Sequence, residues 1–520
     1  MDSLIRFAQT HESFRCPEIE ALSTLADLPC EIVSYDEKSP FCVVRFPSLY
    51  PCEEGERTSH PSPAYDPASD TRIRGFESRS ILSKCIYEVW GQGRDYDELH
   101  ADVRQRSQHL WEAFRQTSFK FSVDCFGSTR DVDQQRDIIN SFRYLDLRGK
   151  IKMKGPEAEF AVLEEWIPWP PQTESHQTAS TDGHPGVAVD NVAGTRLRRV
   201  FLARKIGDSR RWLRDRHDLK KRPYISTTSM DAELALVTAN LALAGPGKIF
   251  LDPFVGTGGF MVAAAELGAV VLGSDIDGRS FRGKGSGLDK GVGANLRRYG
   301  LTHLFGDCMT SDLTNTPFRT SRTGAGSGDG RWLDGIICDP PYGVREGLKV
   351  LGTKSRPGRS TGTELNGLIS NPLKSNSPST PTLIDGVPAH SLPGYIAPKK
   401  PYSFTRMLDD ILDFAAKTLA DRGRLAFWMP SANENEFGEE ETTVIPQHPR
   451  LELKHECVQR FNKWSRRLLV YERLPGIQEP GIDVGLSEGL EAAPIAGRTA
   501  DELNPFRKRY FQSFGPDRNV

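Results

Sequence analysis

No run of about 18 apolar residues occurs anywhere in the 520, so no helix of bilayer length is encoded. Net charge is nearly absent as well. A formal value of −2 excludes a chain that holds nucleic acid by bulk positive charge. The nine cysteines stand at 16, 30, 42, 52, 85, 125, 308, 338 and 457, and no two have CxxC spacing. Scattered thiols in apolar surroundings predict buried free cysteines in a reducing compartment, neither disulfides nor zinc. No metal-ligand spacing occurs, and no metal is expected. The opening MDSLIRFAQTHESFR lacks the basic and apolar regions of a secretory signal, so a cytoplasmic location is expected. No GxxxxGK[ST] stretch is present, which disfavours ATP or GTP hydrolysis. Apolar content is only 38%, with a mean hydropathy of −0.46. Polar stretches over 47–75, 168–194, 314–330 and 356–399 account for that deficit and read as insertions. The last of these cannot bury enough apolar surface to order itself.

What is present concentrates in the second half. The apolar run 333–338 reads as a buried strand, and Asp339-Pro340-Pro341-Tyr342 follows it. Two prolines stop the ladder and fix an extended turn. That turn projects a carboxylate, a backbone carbonyl and an aromatic face from the carboxyl end of a strand, where open α/β sheets bind ligands. The set suits a planar group bearing an NH2. Asp339 can accept one N–H, the Pro340 carbonyl the other, and Tyr342 can stack on the ring. The alternative is a proline-rich turn after a core strand.

Upstream, KIFLDPF (248–254) reads as a strand, VGTGG (255–259) as a tight loop, and 260–267 as an alanine-rich helix. Such a strand, loop and helix start form a nucleotide cradle, because the glycines admit a ligand to the backbone and the helix start presents N–H groups. The next strand, 270–275, ends in Asp275, 19 residues past Gly256, a spacing at which an acid can hold ribose hydroxyls. The glycines at 283–293 follow a strand that already has its loop and read as flexible.

The ordered series Asp252, Gly256, Gly258, Asp275, Asp307 and Asp339 to Tyr342 resembles the S-adenosylmethionine-dependent methyltransferases of exocyclic nucleobase amines. Lys221-Arg222-Pro223-Tyr224, TSMDAEL (228–234), DPFVGTGG, GSDID and ICDPPYGVRE narrow it to the tRNA guanine-N2 methyltransferases that act on guanosine ten. That resemblance implies S-adenosyl-L-methionine as cofactor and tRNA as substrate. It also implies a small zinc-ribbon activator subunit as partner. By the same resemblance Asp252 and the loop from Phe254 through Gly256 to Gly258 approach the methionine part of the cofactor. Asp275 holds the ribose, Ile276 lies on the adenine, and Asp307 accepts the adenine amine. Thr228 and Ser229 contact the cofactor carboxylate. The rival readings are a DNA or rRNA amino methyltransferase, which shares DPPY, and a catalytically silent RNA-binding subunit.

The expected architecture is α/β. A doubly wound Rossmann-like methyltransferase domain (223–475) follows a ferredoxin-like module (1–95), a THUMP-like RNA-binding module (96–205) and a basic linker (206–222), and a mostly flexible tail covers 476–520, within which PFRKRYFQSF (505–514) could dock. Expected helices include 17–28, 80–89, 134–142 and 404–419, the last with Leu408, Ile411, Leu412, Ala415 and Leu419 on its core face. Expected strands include 41–46, 120–126, 160–166, 301–306, 424–429, 451–458 and 467–473. Charge is segregated: 196–222 holds 12 Lys/Arg against 3 Asp. Arg210, Arg211, Arg214, Lys220, Lys221 and Arg222 are therefore candidate phosphate contacts. The alternative is a solvated charged surface.

Overall fold

The computed structural model describes residues 2–49, 65–168, 194–283, 290–314, 316–319, 331–344, 347–351, 383–384, 387–388, 398–432, 444–462, 464–475, 504 and 506. Its contacts divide the chain into two compact units. The first is Met1–Arg222 with Met230–Gly245 and Cys457–Gln459; the second is Pro223–Ser229, Pro246–Glu456 and Arg460–Val520.

The first unit is built on one seven-stranded sheet. Its strands are β1 (Asp2–Phe7), β2 (Glu31–Tyr35), β3 (Phe41–Arg45), β4 (Ser83–Gly93), β5 (Phe119–Phe126), β6 (Ala158–Pro168) and β7 (Thr195–Asp208), in the order β2-β3-β1-β4-β7-β6-β5. All neighbours are antiparallel except β5 and β6. Two sequence expectations are corrected here. Residues 80–89 were expected to be helical, yet most lie in β4. Flanked by β1 and β7, this strand is buried on both faces over most of its length, so it lacks the alternation that marks a half-buried strand. Its Ile86, Tyr87, Val89 and Trp90 are β-branched or aromatic, the types that fit a pleated surface. The end of the polar stretch 47–75 is likewise no loop but the start of the helix Pro67–Glu77. Asp66 caps it, accepting from the N–H groups of Ala68 and Ser69 at 3.0 Å each, and Pro67 opens its first turn.

That helix brings Asp70 to Arg204 of β7. The guanidinium donates to both Asp70 oxygens at 2.8 Å and to Glu88 of β4 at 2.8 Å, with all three side chains buried. The basic run 196–222 is thus partly internal. Arg198 and Arg199 pair with Glu165, and Lys205 pairs with Asp208. The helix Ala232–Leu241 packs with this unit too, where buried Asn240 donates to Glu18 at 3.0 Å.

The second unit centres on another seven-stranded sheet. It adds β8 (Ile249–Asp252), β9 (Val270–Asp275), β10 (Phe305–Thr310) and β11 (Leu333–Cys338). Two short pairs follow, β12 (Lys349–Leu351) with β15 (Lys399–Pro401), and β13 (Leu383–Ile384) with β14 (Val387–Pro388). The last three strands are β16 (Leu419–Ala432), β17 (Leu451–Arg460) and β18 (Trp464–Arg473). The order is β10-β9-β8-β11-β16-β18-β17, parallel from β10 to β16, with β18 antiparallel to β16. Chain order reverses between β8 and β11, which makes their carboxyl ends a topological switch point. The doubly wound expectation holds.

The helix Phe404–Thr418 covers this sheet with Leu408, Ile411, Leu412 and Ala415 buried as expected. The strand expected over 301–306 starts later, at Phe305, because a 3-10 turn occupies Thr302–Leu304. Most of the expected insertions and of the tail lies outside the described residues. Within them, β13 and β14 order part of 356–399, and Phe318 packs on Trp332 and Phe414. In the tail, Asn504 and Phe506 are buried, 3% and 8% exposed, and Phe506 falls in the stretch 505–514 that was open to docking. Isolated apolar residues in a polar stretch carry no period for a sequence reading to detect.

Candidate active site

Three carboxylates reach the switch point from the ends of β8, β9 and β11. Asp252 is buried, accepts one bond from the Phe254 N–H at 3.0 Å, and has its pKa raised by burial and by the nearby charges of Asp275 and Asp339. Asp275 is also raised by burial, against two backbone donors, the N–H of Gly256 at 3.1 Å and that of Asp277 at 2.9 Å. Burial pushes the Asp339 carboxyl up to about 6, opposed by the neighbouring Tyr342 hydroxyl and the Arg466 guanidinium. That lies above the usual carboxylate range. The Asp339 Oδ1 atom and the Tyr342 hydroxyl are both buried, and neither reaches full hydrogen-bond geometry with a described group. A buried acceptor without a donor costs about 1–3 kcal/mol, which a ligand N–H can offset.

The glycine loop lies beside these acids. Val255 N–H donates to the Ser274 carbonyl at 2.9 Å, which ties the loop to β9. Gly256 has φ +48, and a Cβ there would meet nothing closer than the Phe254 carbonyl at 3.9 Å, so its open side can take a ligand. Gly258 has φ +77 and passes so near Val292 that a Cβ would sit 2.7 Å from its side chain. The helix Gly259–Glu266 starts there with no side-chain cap, which leaves its first N–H groups for a ligand. An acidic mouth with a glycine cradle fits a cofactor that carries a sulfonium and an ammonium charge.

Ser229 reaches this loop, its hydroxyl 2.8 Å from that of Thr257, and Thr228 joins it through Ser226. Asn295 was missed from sequence because it falls just past the glycine run, on the helix Gly291–Tyr299. It is fully buried, exchanges two bonds with the Tyr224 backbone (3.1 and 2.8 Å) and donates to the Thr257 carbonyl at 3.0 Å. Ile276 is half-buried next to Asp275. Asp307 is not brought to these acids. It lies within the edge strand β10, exposed and level with Leu272, and accepts from its own neighbour Cys308. The carboxyl end of β10 instead presents Thr310 opposite Asp275, followed by Ser311, whose buried hydroxyl has no described partner.

Arg466 on β18 was also missed individually. Its guanidinium lies 5.0 Å over Trp428 and 5.6 Å over Phe461 and faces Asp339 and Tyr342. Nothing in the local sequence of a basic strand distinguishes it. The Tyr342 ring meets Trp464 edge-on at 6.3 Å.

The candidate RNA contacts divide. Arg211 is largely covered, pairing with Glu233 at 2.7 Å, and Arg222 is buried. Arg214 pairs with Asp215, and Arg210 lies 5.8 Å over Trp212. Lys220 and Lys221 are exposed. Among the described residues no group of metal-ligating side chains converges, and no helix is long and apolar enough to cross a membrane.

Two family models match the chain: a Tmrp11 THUMP N-terminal domain over 1–53 and 65–181, and an RMKL-like methyltransferase domain over 220–303. Among curated proteins, the tRNA (guanine(10)-N(2))-methyltransferase of Saccharomyces cerevisiae is 38% identical, over 98% of this chain and 99% of that one. The enzyme of the same name from Schizosaccharomyces pombe is 33% identical, over 98% and 96%. The human protein is 29% identical, over 91% and 88%.

Proposed function

This chain belongs to the tRNA (guanine(10)-N2)-methyltransferases, and from that premise we propose how its own residues serve the reaction. The reaction is S-adenosylmethionine-dependent methylation of the exocyclic N2 amine of a tRNA guanosine. The cofactor supplies an electrophilic methyl group. The protein must hold it, present the amine in line with it and remove a proton.

Guanine N2 is a poor nucleophile because its lone pair is delocalised into the ring. Two acceptors on the amine hydrogens favour a more tetrahedral nitrogen and stabilise the charge that develops on it. Asp339 supplies one acceptor and the Pro340 carbonyl the other, with Tyr342 against a base swung out of its stack. The observation that carries this reading is the buried, unpartnered Asp339 Oδ1 at the switch point. A carboxyl pushed up to about 6 also takes the proton that N2 sheds, since a methylated ammonium is far more acidic than that. Asp252, Phe254, Gly256 and Gly258 line the methionine side, Asp275 and Ile276 the nucleoside side, and Thr228 and Ser229 the carboxylate. Asp307, as placed, needs a change in its strand to reach the adenine.

The ferredoxin-like and THUMP-like modules deliver the tRNA, and the exposed Lys220 and Lys221, with Arg210 and Arg214, meet its phosphates. A zinc-ribbon activator subunit completes the enzyme. A cytoplasmic site of action is part of the same reading, supported by the free thiols among the described residues.

Asp339→Ala tests the assignment. It should remove methyl transfer, a loss of roughly 2.7–4 kcal/mol or more in transition-state stabilisation, while calorimetric cofactor affinity stays near wild type. Assay with labelled cofactor, activator and unmodified tRNA measures it. Turnover near the wild-type rate would remove Asp339 from the mechanism.

A further inference from the structure

The turn that carries Asp339 is held from outside the catalytic sheet. Asn504 donates its side-chain amide to the Tyr342 carbonyl at 2.7 Å. Gly343, the next residue, has φ +70, and a Cβ there would stand 2.7 Å from Asn504 Nδ2 and 3.1 Å from Leu348. With a left-handed backbone and Asn504 and Leu348 this close, position 343 favours glycine. Two positions on, Phe506 packs its ring 6.1 Å from Trp464, which is stacked on Phe461 at 4.6 Å and meets Tyr342 edge-on. Asn504 and Phe506 are both buried, although they lie in a polar stretch. Asn504 holds the backbone of Tyr342 directly, and Phe506 supports its ring through Trp464.

We propose that Asn504 and Phe506 are positioning residues for methyl transfer, setting the Asp339-Pro340-Pro341-Tyr342 turn in the shape that receives the acceptor amine. The inference rests on the reading of that turn as the amine site. Without the Asn504 amide the Tyr342 carbonyl loses that donor, and the peptide leading into Gly343 loses one of its restraints. Pro340 and Tyr342 then present their acceptor and ring less accurately. Misplacement of this order slows chemistry and leaves the glycine cradle untouched.

The test uses the full chain with its activator, unmodified tRNA and labelled cofactor. Rates are normalised to the fraction of protein that binds cofactor by calorimetry. Asn504→Ala should lower kcat by about ten- to a hundredfold, with cofactor affinity and the KM for tRNA within roughly threefold of wild type. Asn504→Asp keeps the shape but sets a carboxylate oxygen against the carbonyl, so it should be at least as slow. Wild-type kcat in Asn504→Asp, or a loss in Asn504→Ala that merely follows the cofactor-binding fraction, overturns the proposal. If neither variant folds, Phe506→Leu decides. It keeps apolar volume and removes the ring, and an unchanged kcat there overturns the proposal equally. Asp339→Ala runs in parallel. If it retains turnover, the reading of the amine site fails first. If it is dead while the Asn504 and Phe506 variants run at wild-type kcat, this inference alone fails.

Discussion

Asp339 is placed where burial makes its charge unwelcome and where the proposed reaction needs it. Burial raises its pKa to about 6, so the group is a protonated acid below that pH and an acceptor above it. Tyr342 and Arg466 face it and pull the other way, and its charge in turn raises Asp252. The expected consequence is an acid limb in kcat/KM for tRNA, rising with pH and levelling above about 6, because that ratio reports the free enzyme. Asp339→Asn should abolish the limb along with most of the rate. An unchanged limb in the residual activity would assign it to another group. Stability follows with opposite sign. The folded pKa lies above the unfolded one, so Asp339 contributes stability below about pH 4 and loses it as pH rises through about 6. Asp339→Asn should therefore melt higher than wild type at pH 8, with the gap closing towards pH 4. Equal melting temperatures at both pH values would mean that the charge is not felt by the fold. Residues whose position follows from a local motif were legible in place: Asp252, Asp275 and Asp339 sit at strand ends, and Gly256 and Gly258 in the loop before the helix Gly259–Glu266. Asn295, Arg466 and Asn504 were not, because each acts on its partner across a long sequence separation and belongs to no local pattern.

At the level of elements, legibility depended on whether burial left a period. The helix Phe404–Thr418 has one apolar face, and its core residues were named in advance. Strand β4 is buried on both sides and was misread, although its β-branched and aromatic content pointed the right way. The stretch 356–399 was read as unable to order, and its boundary elements add what the sequence could not. β12 and β15 pair antiparallel with Leu351 opposite Lys399, so residues 352–398 begin and end at neighbouring points of one ladder. Chain closure is already provided there, and loop length contributes only logarithmically to its cost. Replacing 352–398 with a four-residue Gly/Ser turn should hence leave the melting temperature within about 4 °C of wild type, equivalent to less than roughly 1 kcal/mol. Lys399 is retained because it lies 3.7 Å from Asp277, two residues past the end of β9. A larger fall in thermal melting would show that the β13–β14 hairpin or its flanks contribute packing to the second unit.

For the whole molecule, the question is how a chain of net charge −2 binds a polyanion. Segregation of charge is the only route that composition leaves open, and the run 196–222 with its nine-charge excess is the obvious candidate. The fold redistributes that excess. Arg198, Arg199, Arg204 and Arg211 are committed to Glu165, Asp70, Glu88 and Glu233, so they neutralise acids within the protein and cannot release counterions from RNA. Lys220 and Lys221 are among the cations of the run that stay exposed, as is Arg216, with Arg210 and Arg214 partly so. Exchanging both for glutamate should weaken tRNA binding and flatten the plot of log affinity against log salt by about 0.7–0.9 for each phosphate no longer neutralised. The modified nucleotide should stay the same, because phosphate contacts position the substrate without reading it. Cofactor affinity should also stay the same, since both lysines precede the sheet that carries the glycine loop and its acids. Arg211→Ala should behave differently. It strips Glu233 of its nearest partner and should lower thermal stability while leaving the salt slope alone. The two variants therefore separate a charge that faces solvent from one that faces protein. If the double lysine exchange leaves both affinity and slope at wild-type values, the outward lysines are solvated surface. RNA capture then falls to the N-terminal sheet unit or to the basic strand Trp464–Arg473, and charge reversals placed there should produce the missing change in slope.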